Sequence, residues 1–230
     1  MDKVRFDTSM SNEDVSRDEI RAMRLSYGQS GIGELDNDPF VAFADWLRQA
    51  SENPHIVEAN AMVLSTLDSD LLITTRTVLL KDISLGGFTF FTNYSSRKAH
   101  AIDANPQVSL LFPWFAMERQ ISISGLAEKV SADESASYFA TRPWSSQIGA
   151  WASHQSAPLT SREELDLRFQ GASEKWPEGT PVPCPPHWGG YRVLPVAIEF
   201  WQGRYSRMHD RLRYERANNG LNWELNRYYP

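Results

Sequence analysis

The sequence predicts an antiparallel α+β domain whose sheet is closed or half-closed. Two observations carry that expectation. From Ala61 onward, runs of β-branched and aliphatic residues follow one another with turn signals between them. The helical stretches are few and short, and they do not alternate strand by strand as a parallel sheet requires. No repeat or low-complexity block interrupts the 230 residues. Residues 1–17, polar and without period, are expected to be disordered, and residues 18–230 to form one domain.

Each element has its own warrant. Ile20, Met23 and Tyr27 space a short helix over Asp18–Tyr27, and the Gly28–Gly33 segment breaks it. Asp38-Pro39 opens a second helix, with Phe40, Phe43 and Leu47 on one stripe. Ala61–Leu67 and Ile73–Ile83 read as strands, and Gly86-Gly87 separates the second from a strand over Phe88–Asn93. Ser95–Asn105 reads as a helix ended by Pro106. Strands resume over Val108–Trp114 and Arg119–Val130. Capping-box patterns at Ser131–Glu134 and Ser161–Glu164 open two further helices. After the proline-rich connector, Pro177 to Pro186, come three last strands, the final two joined by Asn218-Asn219-Gly220.

Composition sets outer bounds. The apolar share of 41% and charged share of 23% are those of an ordinary soluble globular chain. No apolar run reaches membrane-span length, and the polar start lacks the apolar core of a secretory signal. The single cysteine, Cys184, forms no internal disulfide, so a cytoplasmic protein is expected. A net charge of −6 argues against nucleic acid as a partner. The basic residues nevertheless cluster, at Arg97-Lys98 and from Arg204 to Arg216. Composition alone favours a solvated charged face there over a pocket for one phosphate.

Several chemistries drop out. Gly28-Gln-Ser-Gly31-Ile-Gly33 has the wrong spacing for a dinucleotide fingerprint and follows a helix where that motif needs a strand. There is no Walker-type phosphate loop and no nucleophile elbow. Cys184 and His187 supply two metal ligands where zinc usually needs three or four, so no metal is expected.

Four constellations remain. Arg76 and Lys81 frame a hydrophobic strand, although strict alternation puts them on opposite faces. Arg97 and Lys98 follow Ser95-Ser96 in the first turn of a helix, where the dipole disfavours cations unless an anion covers the same N–H groups. Tyr138 and Arg142 are four apart at a helix end, with Ser146 just beyond; they suit a second phosphate or, equally, an ordinary helix C-terminus. Arg207, His209 and Arg211 project from one face if they lie on a strand, a like-charge row that suits an anionic ligand better than water.

Seven segments together resemble the pyridoxamine 5′-phosphate oxidase family: RTVLLK (76–81), FFTNYSSRKAH (90–100), NPQVSLLFPW (105–114), ERQISISG (118–125), YFATRPWSSQIGAWASHQS (138–156), HWGGYRV (187–193) and EFWQGRYSRMHDR (199–211). The resemblance runs from about Arg24 to Pro230. It implies an antiparallel split β-barrel with peripheral helices, binding flavin mononucleotide (FMN) at a homodimer interface. FMN contacts would fall on Arg76, Thr77, Val78, Leu79, Leu80 and Lys81, then on Phe91, Thr92, Arg97 and Lys98. Further along the chain they would fall on Gln120, Gln155, Ser156, Trp201 and Arg211. Lys81, Tyr138, Arg142 and Ser146 would hold the substrate phosphate. Arg207, Met208 and His209 would lie against the pyridine ring, with Arg207 and His209 as catalytic residues, and Arg24 and Tyr27 would close the site. Asp68–Leu72 departs from the family by lacking a glycine in its turn, and the Tyr-Tyr-Pro end also differs.

The activity so implied is oxidation of pyridoxamine or pyridoxine 5′-phosphate by O2 to pyridoxal 5′-phosphate, releasing H2O2, and ammonia from the amine. Two alternatives stand beside it. One is another split-barrel flavoenzyme, which should lack the second phosphate clamp. The other is a non-catalytic binder of FMN or pyridoxal phosphate.

Overall fold

A computed structural model describes residues 17–23, 26–217 and 222–230. Arg24, the Asn218-Asn219-Gly220 turn and nearly all of the expected N-terminal disordered segment lie outside the described residues. The first helix, α1 (Arg17–Ala22), is shorter than the periodicity predicts. Ile20 and Met23 on its stripe are exposed, so no packing extends it, and short helices need packing to persist. In α2 (Pro39–Glu52) the Asp38 side chain accepts from the Phe40 N–H, and Phe43, Trp46 and Ala50 are buried.

Strands β1 (Ala61–Leu67) and β2 (Ile73–Leu79) form a hairpin. Its turn solves the missing glycine with Leu71 in the left-handed region (φ 60°) and with Asp68, whose Oδ1 accepts from the Asp70 and Leu72 N–H groups. The predicted strand to Ile83 stops at Leu79, because the chain changes partner there. Leu80 still donates to Asn60 on the β1 side, whereas Lys81 donates to Thr89 of β3 (Phe88–Asn93). Periodicity carries no sign of such a handover.

After α3 (Arg97–Ala104) come β4 (Gln107–Trp114) and β5 (Arg119–Lys129), linked by a single 3₁₀ turn. Helices α4 (Ala132–Ala140) and α6 (Arg162–Lys175) start as predicted, with the Ser131 and Ser161 hydroxyls accepting from the Glu134 and Glu164 N–H groups. Between them lies α5 (Trp144–Ala152), a helix that no capping pattern or apolar period announces. The last strands are β6 (Trp188–Gln202), β7 (Asp210–Arg216) and β8 (Trp223–Tyr228).

Among the described residues all eight strands belong to one antiparallel sheet, in the order β2-β1-β4-β5-β6-β7-β8, with β3 paired to the first half of β6. The fifteen residues of β6 thus serve β3 and then β7 on one edge, while β5 runs along the other. The register shifts at Ser124/Gly125, opposite Pro195, where a bulge accommodates a residue with no N–H. One isolated bridge, Asp82↔Thr89, joins the chain after β2 to β3, and among the described residues no ladder closes the sheet. The observed sheet is therefore open.

Its inner face and α2 enclose the main core. Phe43 packs against Phe88 (4.9 Å between ring centroids) and Phe112 (5.0 Å), and Trp46 against Phe200 (5.0 Å). A second, smaller cluster of Phe139, Ile148, Val182 and Trp188 fastens α4 and α5 to the start of β6. Trp188 of that cluster also lines the cavity described next.

Candidate active site

A cavity of about 650 Å³ opens between the end of β2, β3, the α4–α5 corner and the start of β6. Its lining includes Lys81, Lys98 and Arg142, and no Asp or Glu. Three cations facing one space with no carboxylate among its described lining residues is an arrangement that an anionic ligand relieves.

Lys98 is buried and its Nζ donates to Gln155 Oε1 (2.6 Å), Thr92 Oγ1 (3.0 Å) and Ser96 Oγ (3.3 Å). All three partners are neutral. Burial, and then the nearby Arg76 guanidinium, push its pKa down from 10.5 to about 8. Ser96 has the backbone geometry of an N-cap for α3, but its side chain accepts no N–H there. Ser96 is thus a backbone cap only, and its hydroxyl accepts from Lys98 instead.

Aromatic rings form another part of the lining. Phe91, Tyr138 and Trp188 lie nearly parallel, with Phe91 4.1 Å from Tyr138 and 5.4 Å from Trp188. The Arg142 guanidinium sits 4.8 Å from the Trp188 centroid. Its Nη1 is buried with no hydrogen-bond partner, and burial lowers the arginine's pKa. Tyr138 on α4, Arg142 just past its end and Ser146 in the first turn of α5 all line the cavity. The ordinary C-terminal arginine left open by the spacing would not carry an orphaned buried donor.

The remaining residues divide. Thr77, Val78, Leu79, Phe91, Thr92 and Gln155 line this cavity, whereas Leu80 is a core residue (5% exposed). Arg76 turns back onto the hairpin, donating to the Leu64 carbonyl and to Thr66 and Thr74. Arg97 reaches across to Asp68 (2.8 Å), and that contact holds the Asp68 carboxyl below its usual range. Ser156 adopts a left-handed backbone (φ 74°) beside Gln155 without lining the cavity.

A second cavity, of about 450 Å³, shares no lining residue with the first. Tyr27, Trp201, Arg207 and His209 line it, and exposed Met208 lies between the last two in sequence. Arg207 and His209 are not on a strand, contrary to the period-two reading. Tyr205–Arg207 is a 3₁₀ turn with Ser206 (φ 57°) and Arg207 (φ 60°) both left-handed, and β7 begins only at Asp210. The imidazole is fixed by the Arg204 N–H donating to His209 Nδ1 (3.0 Å), which leaves Nε2 for a ligand. Arg211 does not join a row of free cations, because Glu199 engages it through both carboxylate oxygens (2.9 Å each) and raises its pKa. Gln120, Trp201 and Arg211 are lateral neighbours across β5, β6 and β7.

Sequence reasoning missed Trp188, Asn93, Thr141 and Ser153 in the first cavity. The HWGGYRV segment carried the signal for Trp188, since paired glycines beside an aromatic mark a close approach. A Cβ on Gly190 would lie 2.8 Å from the Phe91 ring.

Comparison with known proteins settles the family. A model described as pyridoxamine 5′-phosphate oxidase matches residues 51–175, and one described as the pyridoxine 5′-phosphate oxidase C-terminal dimerisation region matches residues 188–230. A pyridoxine/pyridoxamine 5′-phosphate oxidase of Streptomyces avermitilis is 48% identical over 214 residues, covering 91% of this chain and 95% of that protein. The chain belongs to the pyridoxamine 5′-phosphate oxidase family. A second member of this oxidoreductase family, from Rubrobacter xylanophilus, is 48% identical over 217 residues, covering 94% of this chain and 98% of its own length. Among solved structures, PhzG from Burkholderia lata, in complex with tetrahydrophenazine-1-carboxylic acid, superposes with a TM-score of 0.79 at 31% identity, covering 85% of this chain and 94% of that one. A pyridoxamine 5′-phosphate oxidase-related, FMN binding protein from Nostoc punctiforme shares the fold at 16% identity (TM-score 0.65, 82% of this chain and 95% of that one). Among the described residues no helix is long and apolar enough to cross a membrane, and no three His, Cys, Asp or Glu side chains group as metal ligands.

Proposed function

We propose that this family member oxidises pyridoxamine 5′-phosphate and pyridoxine 5′-phosphate to pyridoxal 5′-phosphate, with FMN as cofactor and O2 as acceptor, as a homodimer. The observation that supports the reading is a cavity lined by Lys81, Lys98 and Arg142 and, among the described residues, by no Asp or Glu; Lys98 would take one phosphate and Arg142 the other. The site residues fit a flavin phosphate: Lys98, Thr92 and Gln155 offer charge and hydrogen-bonding groups, and Arg97 stands next in line. Thr77, Val78, Leu79 and Lys81 would border the isoalloxazine ring; Arg76, Leu80 and Ser156 would support that seat from outside the cavity wall. FMN, when bound, takes up the hydride equivalent and delivers the electrons to O2.

The chain's own part is binding and orientation. Arg142, Tyr138, Ser146 and Lys81 would grip the substrate phosphate and hold the carbon to be oxidised in one place; such positioning is worth up to about 7–11 kcal/mol of a barrier. The apolar wall of Phe91 and Trp188 would keep water from that carbon. Arg207 and His209 would complete the site over the pyridine ring, His209 moving a proton at Nε2, with Met208, Tyr27 and Arg24 beside them and Gln120, Trp201 and Arg211 behind. Because these residues share no cavity with Arg142, and a dimerisation region matches residues 188–230, they would act from the partner subunit. The open sheet would then be the split barrel of the family, with Asp82↔Thr89 at its seam.

The test is oxygen-dependent formation of pyridoxal 5′-phosphate by the purified protein from each substrate, with and without added FMN. FMN-dependent product from either substrate supports the reading. A folded, flavin-loaded dimer that makes none refutes it.

A further inference from the structure

The strap from Ser26 to Ile32 is pinned at three points. The Gly28 N–H donates to Glu118 Oε2 (2.9 Å), the Gly28 carbonyl accepts from the Tyr205 N–H (2.8 Å), and the Ile32 N–H donates to Asp210 Oδ2 (3.0 Å). Immediately before the first anchor the Tyr27 ring packs edge-on against His209 (5.5 Å) and Trp201 (5.8 Å). The fit has no slack. A Cβ on Gly203 would lie 2.9 Å from the Tyr27 ring, and one on Gly31 would lie 2.6 Å from Asp210 Oδ2.

Asp210 is committed elsewhere as well, to Arg227 (2.8 Å) and Arg204 (3.4 Å). Glu118 is different. It stands in the tight β4–β5 connection with a left-handed backbone (φ 54°), and its carbonyl accepts from the Gly203 N–H (2.7 Å). Among the described residues no Lys or Arg pairs with its carboxylate, whose hydrogen bond is to the strap. One residue thus touches both the strap and the loop leading to His209, from a segment 90 positions away from Gly28.

We propose that Glu118 is a positioning residue: its carboxylate holds the strap so that Tyr27 rests against His209 and sets the wall of the second cavity. The substrate that this wall would face is taken from the oxidase reading above; the anchoring itself does not depend on it. A simple loop cap would need no contact with the strap, and losing it would leave Tyr27 in place.

The experiment uses the full-length FMN-loaded protein and the variants Glu118→Ala and Glu118→Gln. Hydrogen exchange at the Gly28 amide is read alongside flavin content, KM and kcat for pyridoxine 5′-phosphate. In Glu118→Ala, Gly28 exchange is expected to quicken by about tenfold or more, the equivalent of one hydrogen bond to a charged acceptor. KM should rise about fivefold or more, with flavin content unchanged and kcat within about twofold, since uniform binding is what is lost. Glu118→Gln keeps an acceptor oxygen and should restore both readouts. Where the alanine variant does not fold, Glu118→Asp draws the carboxylate back by one methylene and is expected to release Gly28 in the same way. Unchanged Gly28 exchange on loss of the carboxylate overturns the anchor, and faster exchange with unchanged KM overturns the positioning role. If the wild-type protein oxidises neither substrate, the oxidase reading fails while Gly28 exchange still decides the anchor.

Discussion

At the residue scale, the cavity cations are poised by the absence of what should neutralise them. Lys98 has a pKa near 8 because burial and Arg76 disfavour its charge. In the flavin-free protein this costs stability below pH 8. The cost is relieved as pH rises from about 8 toward the ordinary 10.5, where the folded chain sheds a proton that the unfolded chain still holds. A phosphate at Nζ reverses the preference. FMN binding near pH 8 should therefore take up a proton, and affinity should fall as pH climbs from 8 to 10. Calorimetric titration in two buffers of different ionisation enthalpy measures the uptake, and Lys98→Met should abolish it along with most of the affinity. Arg142 makes a parallel case. Arg142→Met should keep FMN but lower kcat/KM for either phosphorylated substrate by about 10- to 150-fold, the range for charge-assisted hydrogen bonds. Equal losses with an unphosphorylated pyridoxine substrate would contradict that role. Both residues were legible in the sequence, Lys98 because two cations at a helix start want an anion and Arg142 from its spacing to Tyr138. Asp68 as the partner of Arg97, and Glu199 as the partner of Arg211, were not. Those pairs join residues 29 and 12 positions apart, and only the fold brings them together.

At the element scale, the legible features were the ones with local causes. Ser131 and Ser161 cap α4 and α6 because an acceptor one turn ahead is a sequence-local device. Helix α5 escaped notice because it has neither device nor contrast: Pro143 stands at its N-cap with no side-chain bond, and its nine residues carry no charge. The strand expected to reach Ile83, and the one expected through Arg207, failed for a shared reason. Alternation of side chains does not record where a backbone changes hydrogen-bond partner or turns left-handed. The β1–β2 turn shows the energetic side of that. Leu71 is exposed (77%) and holds φ at 60°, a conformation that costs a side chain about 1–2 kcal/mol. Leu71→Gly should therefore stabilise the protein by about 1 kcal/mol, less what glycine adds to unfolded-chain entropy. Urea unfolding would show a higher midpoint at constant slope. A lower midpoint would mean that Leu71 packs on something in the dimer that its exposure in one chain conceals.

At the scale of the whole molecule, the antiparallel α+β architecture was readable, because hairpin signals recur and βαβ alternation does not. The closed or half-closed sheet expected from the hairpin pattern is not what the described residues show: one isolated bridge, Asp82↔Thr89, joins the chain after β2 to β3, and periodicity carries no sign of it. The division of the candidate site was not readable either. The family resemblance implies that Arg142 and His209 meet one substrate, yet they line separate cavities of one chain. If a two-fold dimer brings the first cavity of one subunit against the second cavity of its partner, each site takes Arg142 from one chain and His209 from the other. Arg142→Ala and His209→Ala homodimers should then both be nearly inactive. Co-expressed and assorting at random, half of the dimers carry one chain of each kind. Such a mixed dimer has one site with both lesions and one with neither, so activity should recover to about a quarter of the wild-type value per mole of sites. If Arg142 and His209 instead serve one site within the same chain, every site in every mixed dimer carries a lesion, and no recovery follows. Separately tagged chains and tandem purification isolate the mixed dimer, where the contrast sharpens to about one half against none. Recovery at that level, with flavin bound at the intact site, would locate the catalytic unit in the pair of chains.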